Sequence, residues 1–119
     1  MIGCDVGTQS AKALLLDDQG TTVARASRSY PTAHPAAGWA EQSPDDWLGA
    51  VRGAIADVVR SAGISASAVG GLGIAAQVDG IVAVDSANRP LAPAPIWMDR
   101  RATAVVDRAA ARVPADRIR

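Results

Sequence analysis

Met1-Ile2-Gly3-Cys4-Asp5-Val6-Gly7-Thr8-Gln9-Ser10-Ala11-Lys12 opens the chain and decides how it must begin to fold. Met1–Val6 is a short apolar run of the kind that forms a buried strand, and it ends at Gly7. A second apolar run, Ala11–Leu16, follows at once and is closed by the polar turn Asp17-Asp18-Gln19-Gly20. Thr21–Tyr30 then mixes β-branched and polar residues, as a half-exposed third strand does. Three strands joined by tight turns predict an antiparallel start to a sheet.

Pro31–Gly38 is a Pro/Ala/Gly-rich connection that holds the one histidine, His34. Ser43-Pro44-Asp45-Asp46 then announces a helix, with a hydroxyl cap, a proline at the first helical position and carboxylates in the first turn. Trp47, Val51, Ile55, Val58 and Ala62 recur at helical spacing and give it one apolar face, with Gly63 as its stop. Val69–Ala76 is glycine-broken but apolar, and predicts a buried strand returning beside the first. Strand, helix, strand with this length of crossover implies a parallel pairing. Ile81–Val84 predicts one more short strand before a turn at Asp85–Pro90. A last helix is expected near Asp99–Arg112, capped by Asp99, stopped by Pro114, with Ala102, Val105, Val106, Ala109 and Val113 facing inward. The sum is an α/β unit with an antiparallel hairpin start and a helical crossover to a parallel strand. No glycine-rich turn joins the first strand to a helix, so it is not a dinucleotide-binding unit.

Composition narrows the function classes. Across 119 residues the hydrophobic fraction is 49%, with three Trp, one Tyr and no Phe, so the core must be built from Ala, Val, Ile and Leu. Twelve basic residues balance twelve acidic ones, which offers nothing to nucleic acid or an anionic membrane. No apolar stretch reaches the length of a membrane span, and no secretory leader is recognisable at Met1. The single cysteine, Cys4, lies within the first apolar run and reads as a buried, inert thiol. These features predict a cytoplasmic protein.

Three stretches carry residues suited to chemistry. In the first, Gly7 leaves the backbone open to close approach, Thr8 and Ser10 add hydroxyls, and Lys12 adds a positive charge on the same side of its strand as Ser10. Asp5 could orient water around Mg²⁺, which favours carboxylate, water and phosphate oxygens. With Gln9 in the turn, this is a candidate phosphate hairpin; the spacing is not that of a Walker A loop, and a plain β-turn is the alternative. In the second, Gln77-Val78-Asp79-Gly80 breaks a buried strand at its carboxyl end, where α/β sheets gather ligands. Gln77 and Asp79 could bond sugar hydroxyls and Val78 could pack on a carbon face, or Asp79-Gly80 could simply be a turn. In the third, Trp97 offers a flat face to the C–H side of a polyol. Arg100 and Arg101, basic at the expected helix start, oppose its dipole and hint at a partner carboxylate. Trp39 and Glu41 could shape a cleft or pack over the first helix.

The order of these pieces carries a resemblance. A D-x-G-T-x-S-x-K hairpin at Asp5–Lys12, then Gly38–Trp47, then Ala75–Gly80, then Pro95–Arg101 resembles the FGGY carbohydrate kinases, most closely their xylulokinase-like members, over essentially the whole chain. The resemblance implies a partial actin-like ATPase (ribonuclease H-like) domain and an enzyme that passes the γ-phosphate of ATP to a hydroxyl of a ketose or polyol. It implies ATP and Mg²⁺ as cofactors, a small sugar or polyol as partner, and allows a homodimer of the intact parent. By analogy Asp5, Gly7, Thr8, Ser10 and Lys12 match the first phosphate motif, Val78 and Asp79 the sugar-contacting pair, and Trp97 a pocket tryptophan. Xylulokinase-like members carry Met-His where this chain has Val78-Asp79, which leaves a ketose or polyol of similar size.

Residues 1–119 are accordingly expected to be the N-terminal part of the first kinase domain, with the aspartate base, the rest of that domain and the adenosine-binding domain beyond Arg119. The isolated chain is expected to be inactive, and poorly soluble because part of its sheet is uncovered. Outside the kinase reading stand a non-catalytic remnant and another actin-like ATPase.

Overall fold

The computed structural model describes residues 1–113 and residue 117. Strands β1 (Ile2–Val6), β2 (Ser10–Leu16) and β3 (Thr22–Ser29) form the expected antiparallel meander. Helix α1 (Pro44–Ser61) crosses over to β5 (Leu72–Ala76), which pairs parallel with β1, so the sheet order is β3-β2-β1-β5. Two-residue strands β4 (Glu41–Gln42) and β6 (Ala94–Pro95) make a separate ribbon, and α2 (Thr103–Ala110) follows.

Period-2 alternation decides what the sheet buries. Ile2, Cys4 and Val6 of β1, with Ala11, Ala13 and Leu15 of β2, all point to the side that α1 covers. The helix answers with Ala50, Ala54 and Val58 at intervals of one turn. Trp47, Val51, Ile55 and Ala62, expected on the inner face, flank this stripe half-buried. Alanines at the centre let the helix approach Ala11 and Ala13 closely, which is how a chain without Phe still fills its core. Val58 is fully buried, and its burial contributes roughly 1.5–3 kcal/mol.

The helix ends are those the sequence predicts. Ser43 sits extended as N-cap with its Oγ accepting from the Asp46 amide, and Pro44 occupies the first turn. Gly63, at φ +65°, turns the chain out of the helix, and its amide donates to the Arg60 carbonyl. Asp57 on the outer side of α1 pairs with Arg28 of β3 and with Arg60.

Four expectations are corrected. β5 is not buried: all five of its residues are exposed, Ile74 at 59%, because α1 lies over β1–β3 and stops short of β5, and no described element packs on the other face. Ile81–Val84 forms no strand; only Val84 makes a bridge, to Pro90, while Asp85 Oδ1 closes the intervening turn on the amides of Ala87 and Arg89. The last helix spans Thr103–Ala110 rather than Asp99–Arg112, and its N-cap is Ala102, which offers no side-chain bond. Its presumed inner face is solvent-exposed, and Pro114 lies outside the described residues. Among the described residues no helix is long and apolar enough to cross a membrane.

Candidate functional site

Because β1 and β5 are parallel and in register, Val6 opposite Ala76, their carboxyl ends open on the same edge of the sheet. The chain leaves β1 into the turn Gly7–Gln9 and leaves β5 into Gln77–Gly80. The Gln77 amide donates to the Val6 carbonyl at 2.8 Å, which sets the second loop directly against the first.

Each turn is held locally. The Gly7 amide donates to the Ser10 carbonyl, the Tyr30 amide to the Gln9 carbonyl, and the Tyr30 hydroxyl to the Gly7 carbonyl. Burial, with help from the nearby Asp5 and Cys4, pushes the Tyr30 hydroxyl above the usual phenol range, so it stays a donor. Asp79 adopts φ +61°, a left-handed conformation that Asp tolerates, and the chain bends at Val78-Asp79. The Ile81 amide ties the end of this loop to the Pro95 carbonyl of β6.

The third stretch arrives through β6. The Trp97 Nε1–H donates to Thr8 Oγ1 at 3.0 Å, which joins the expected pocket tryptophan to the expected phosphate hairpin. Between the loops, the buried Gln42 donates to the Thr8 carbonyl and accepts from Gln77 and Trp47. A cavity of about 400 Å³ lined by Val6, Trp47 and Gln77–Gly80 lies at this junction.

The candidate residues therefore fall into two groups. Thr8, Gln77 and Trp97 are brought together by direct bonds or through Gln42, and Val78 and Asp79 line the adjoining cavity. Asp5 and Lys12 are cross-strand partners on the uncovered sheet face, together with Leu14 and Arg25, where a hollow of about 870 Å³ lies open. Gly7 links the two groups: a Cβ there would touch Asp5 Oδ2 and the Ser10 carbonyl at 3.6 Å, so its bare backbone sits beside the carboxylate. Asp5 is exposed and stands alone; no cluster of three or more metal-ligating side chains occurs among the described residues. One carboxylate beside bare backbone suits Mg²⁺, which takes its remaining ligands from water and phosphate.

Trp39, Glu41, Asp99 and Arg101 serve a different purpose. The Arg101 guanidinium lies 3.7 Å from the Trp39 ring centroid and bonds both Asp99 and Glu41. Asp99 also accepts from the Ala40 amide, so its carboxylate joins two segments instead of capping α2. The Arg101 bonds hold the Asp99 carboxyl well below the usual carboxylate range. The partner carboxylate hinted at by Arg101 is thus real, and the cluster clamps the β4–β6 ribbon that carries Gln42 and leads to Trp97. Gln42 is the residue sequence reasoning passed over; an amide next to a helix cap gives no local sign that it will be buried.

The model for the N-terminal domain of the FGGY family of carbohydrate kinases matches residues 1–119. The chain belongs to this family. It is 35% identical over 117 residues to a xylulose kinase of Escherichia coli (strain K12), a match covering 98% of this chain and 24% of that protein. It is 33% identical over 103 residues to a xylulose kinase of Bacillus subtilis (strain 168), covering 87% of this chain and 21% of that protein. The crystal structure of a xylulose kinase from Rhodospirillum rubrum superimposes with a TM-score of 0.88 at 31% identity, covering 97% of this chain and 24% of that one. The chain thus spans about a quarter of the length of these FGGY relatives, and the meander, crossover helix and parallel strand are part of their actin-like ATPase fold.

Proposed function

We propose that this FGGY chain supplies the phosphate hairpin and one wall of the sugar site of a cytoplasmic kinase that transfers the γ-phosphate of ATP to a hydroxyl of a ketose or polyol. The observation that carries the reading is the convergence of Thr8, Gln77 and Trp97 at the shared end of β1 and β5. A hydroxyl-bearing turn and a polar loop beside an aromatic face are what a phosphate donor and a polyhydroxylated acceptor need side by side.

In this reading the Thr8 and Ser10 hydroxyls and the bared backbone of Gly7 and Gln9 grip phosphate oxygens, and Lys12 adds positive charge. Asp5 holds Mg²⁺ through water, and the ion neutralises phosphate charge when bound. Gln77 and Asp79 bond sugar hydroxyls, Val78 packs on carbon, and Trp97 presents its ring to the C–H face. Neither Asp5 nor Asp79 is assigned the role of base. That group, and the adenosine pocket, belong to the remainder of an intact kinase, of which residues 1–119 are the N-terminal part of the first domain.

The test is to assay the complete polypeptide that carries this chain for sugar-dependent ADP release, with ATP, Mg²⁺ and a panel of pentuloses and polyols. ADP release that depends on one of these acceptors is the expected result. ATP hydrolysis indifferent to every sugar would point to another actin-like ATPase, and no turnover at all to a non-catalytic remnant; either overturns the reading.

A further inference from the structure

Gln42 is the buried polar side chain of this core, 2% exposed, and its amide makes four hydrogen bonds. Nε2 donates to the Thr8 carbonyl and to Thr32 Oγ1, each at 2.7 Å, while Oε1 accepts from Trp47 Nε1 at 2.8 Å and Gln77 Nε2 at 3.0 Å. A primary amide has two donor hydrogens and an oxygen with two lone pairs, so its whole capacity is used. The partners also settle which end is which. An indole N–H can only donate and a peptide carbonyl can only accept, so a flipped amide would set oxygen against oxygen at Thr8 and N–H against N–H at Trp47.

That orientation passes on to Gln77. With Gln42 presenting an oxygen, Gln77 must turn its NH₂ toward it. Its own Oε1 then faces the other way, buried and without a hydrogen-bond partner among the described residues. Buried side-chain acceptors are nearly always satisfied, so one held unpaired by a rigid neighbour is set for a donor that arrives later.

We propose that Gln42 is a positioning residue that acts through Thr8 and Gln77, locking the hairpin and the β5 loop in one register and fixing Gln77 so that its carbonyl oxygen is left for a substrate hydroxyl. The hydroxyl donor rests on the kinase reading above; the locking of the two loops does not.

The experiment uses the complete polypeptide with Gln42→Met, which keeps the length of the side chain and removes all four bonds, and Gln42→Glu, which removes the donors. Amide hydrogen exchange at Thr8–Ser10 and Gln77–Gly80 is expected to quicken together in Gln42→Met, while the β1–β2 ladder stays protected. KM for the accepted sugar is expected to rise about tenfold or more in both variants. Gln77→Ala should add little on top of Gln42→Met, because the two amides act as one unit. A core variant, Val58→Ala, matched for loss of thermal stability, should keep its KM. Unchanged exchange in either loop overturns the locking. An unchanged KM, or fully additive effects, overturns the role of Gln77. Should Gln42→Met not fold, Trp47→Phe removes one donor and keeps an aromatic ring; it must shift exchange in both loops in the same direction, or the proposal fails. If the wild-type polypeptide phosphorylates no sugar, the kinase reading falls and the exchange measurement alone decides the locking.

Discussion

Trp97 donates its indole N–H to Thr8 Oγ1 across 89 residues of sequence. A hydroxyl has one hydrogen and two lone pairs, and an indole N–H can only give. Thr8 must therefore accept from Trp97 and direct its own hydrogen elsewhere, which leaves that hydrogen free for an anion. The ring thereby sets the polarity of the hairpin.

On the proposed kinase reading, Thr8→Val in the complete polypeptide is expected to lower kcat/KM for ATP by about 10- to 100-fold, the worth of one hydrogen bond to a charged group. Trp97→Phe, which keeps most of the ring and frees the hydroxyl to rotate, should cost less with ATP and more with sugar. Steady-state kinetics with each substrate varied in turn checks both; wild-type kcat/KM in Thr8→Val would sink the phosphate role.

Acid should loosen the β4–β6 ribbon. The Asp99 carboxyl is held below its ordinary value by Arg101 and by the amides of Ala40 and Arg101, so the native state favours the ionised form. Its contribution to stability is present above the unfolded-state value of about 3.9 and is lost as pH falls toward the depressed native value. Denaturation curves between neutral pH and strong acid should show stability falling through this window, and Asp99→Asn should flatten that fall. Equal slopes in the two proteins would remove the argument.

Cys4 should be inert while the protein is folded. Burial raises its thiol above the usual range and the Asp5 charge adds to this, so thiolate is scarce at neutral pH. Labelling by a thiol reagent is expected to follow unfolding by denaturant, step for step. A rate like that of a free cysteine under native conditions would contradict the buried placement on β1.

Expressed alone, residues 1–119 are expected to self-associate through the uncovered parts of the sheet, where Leu14 on the open face and Ile74 on β5, past the edge of α1, lie open to solvent. Sedimentation should show mass rising with concentration, and Leu14→Lys with Ile74→Glu should reverse it. A monomer with a sharp cooperative melt would show that α1 alone supplies cover enough.

Much of this architecture was legible because its signals are local. The apolar runs Met1–Val6 and Ala11–Leu16, the cap at Ser43-Pro44 and the stop at Gly63 each act within a few residues, and each yields the element it predicts, although β1 buries only alternate residues. The errors sit where distant partners decide. Apolarity marked Leu72–Ala76 as strand but could not tell whether anything covers it. Asp99 has the chemistry of a helix cap, yet the Ala40 amide and Arg101 claim its carboxylate, and the helix begins later, at Thr103. In the site, Thr8, Gln77 and Trp97 were recognisable as residue types. That Gln42 would join two of them depends on β4 passing beneath both loops, which no local pattern records.

The pairing of β1 has a consequence for how the protein is made. Its β2 edge is satisfied once Leu16 is available, whereas its other edge waits for Leu72–Ala76. On a ribosome the meander and α1 emerge well before that partner, and such distant pairing is slow to form. In the interval each nascent chain carries an open strand edge, free to join the same edge on a neighbour translated beside it. Until β5 arrives, that edge of β1 is the place where this topology is most open to misassembly.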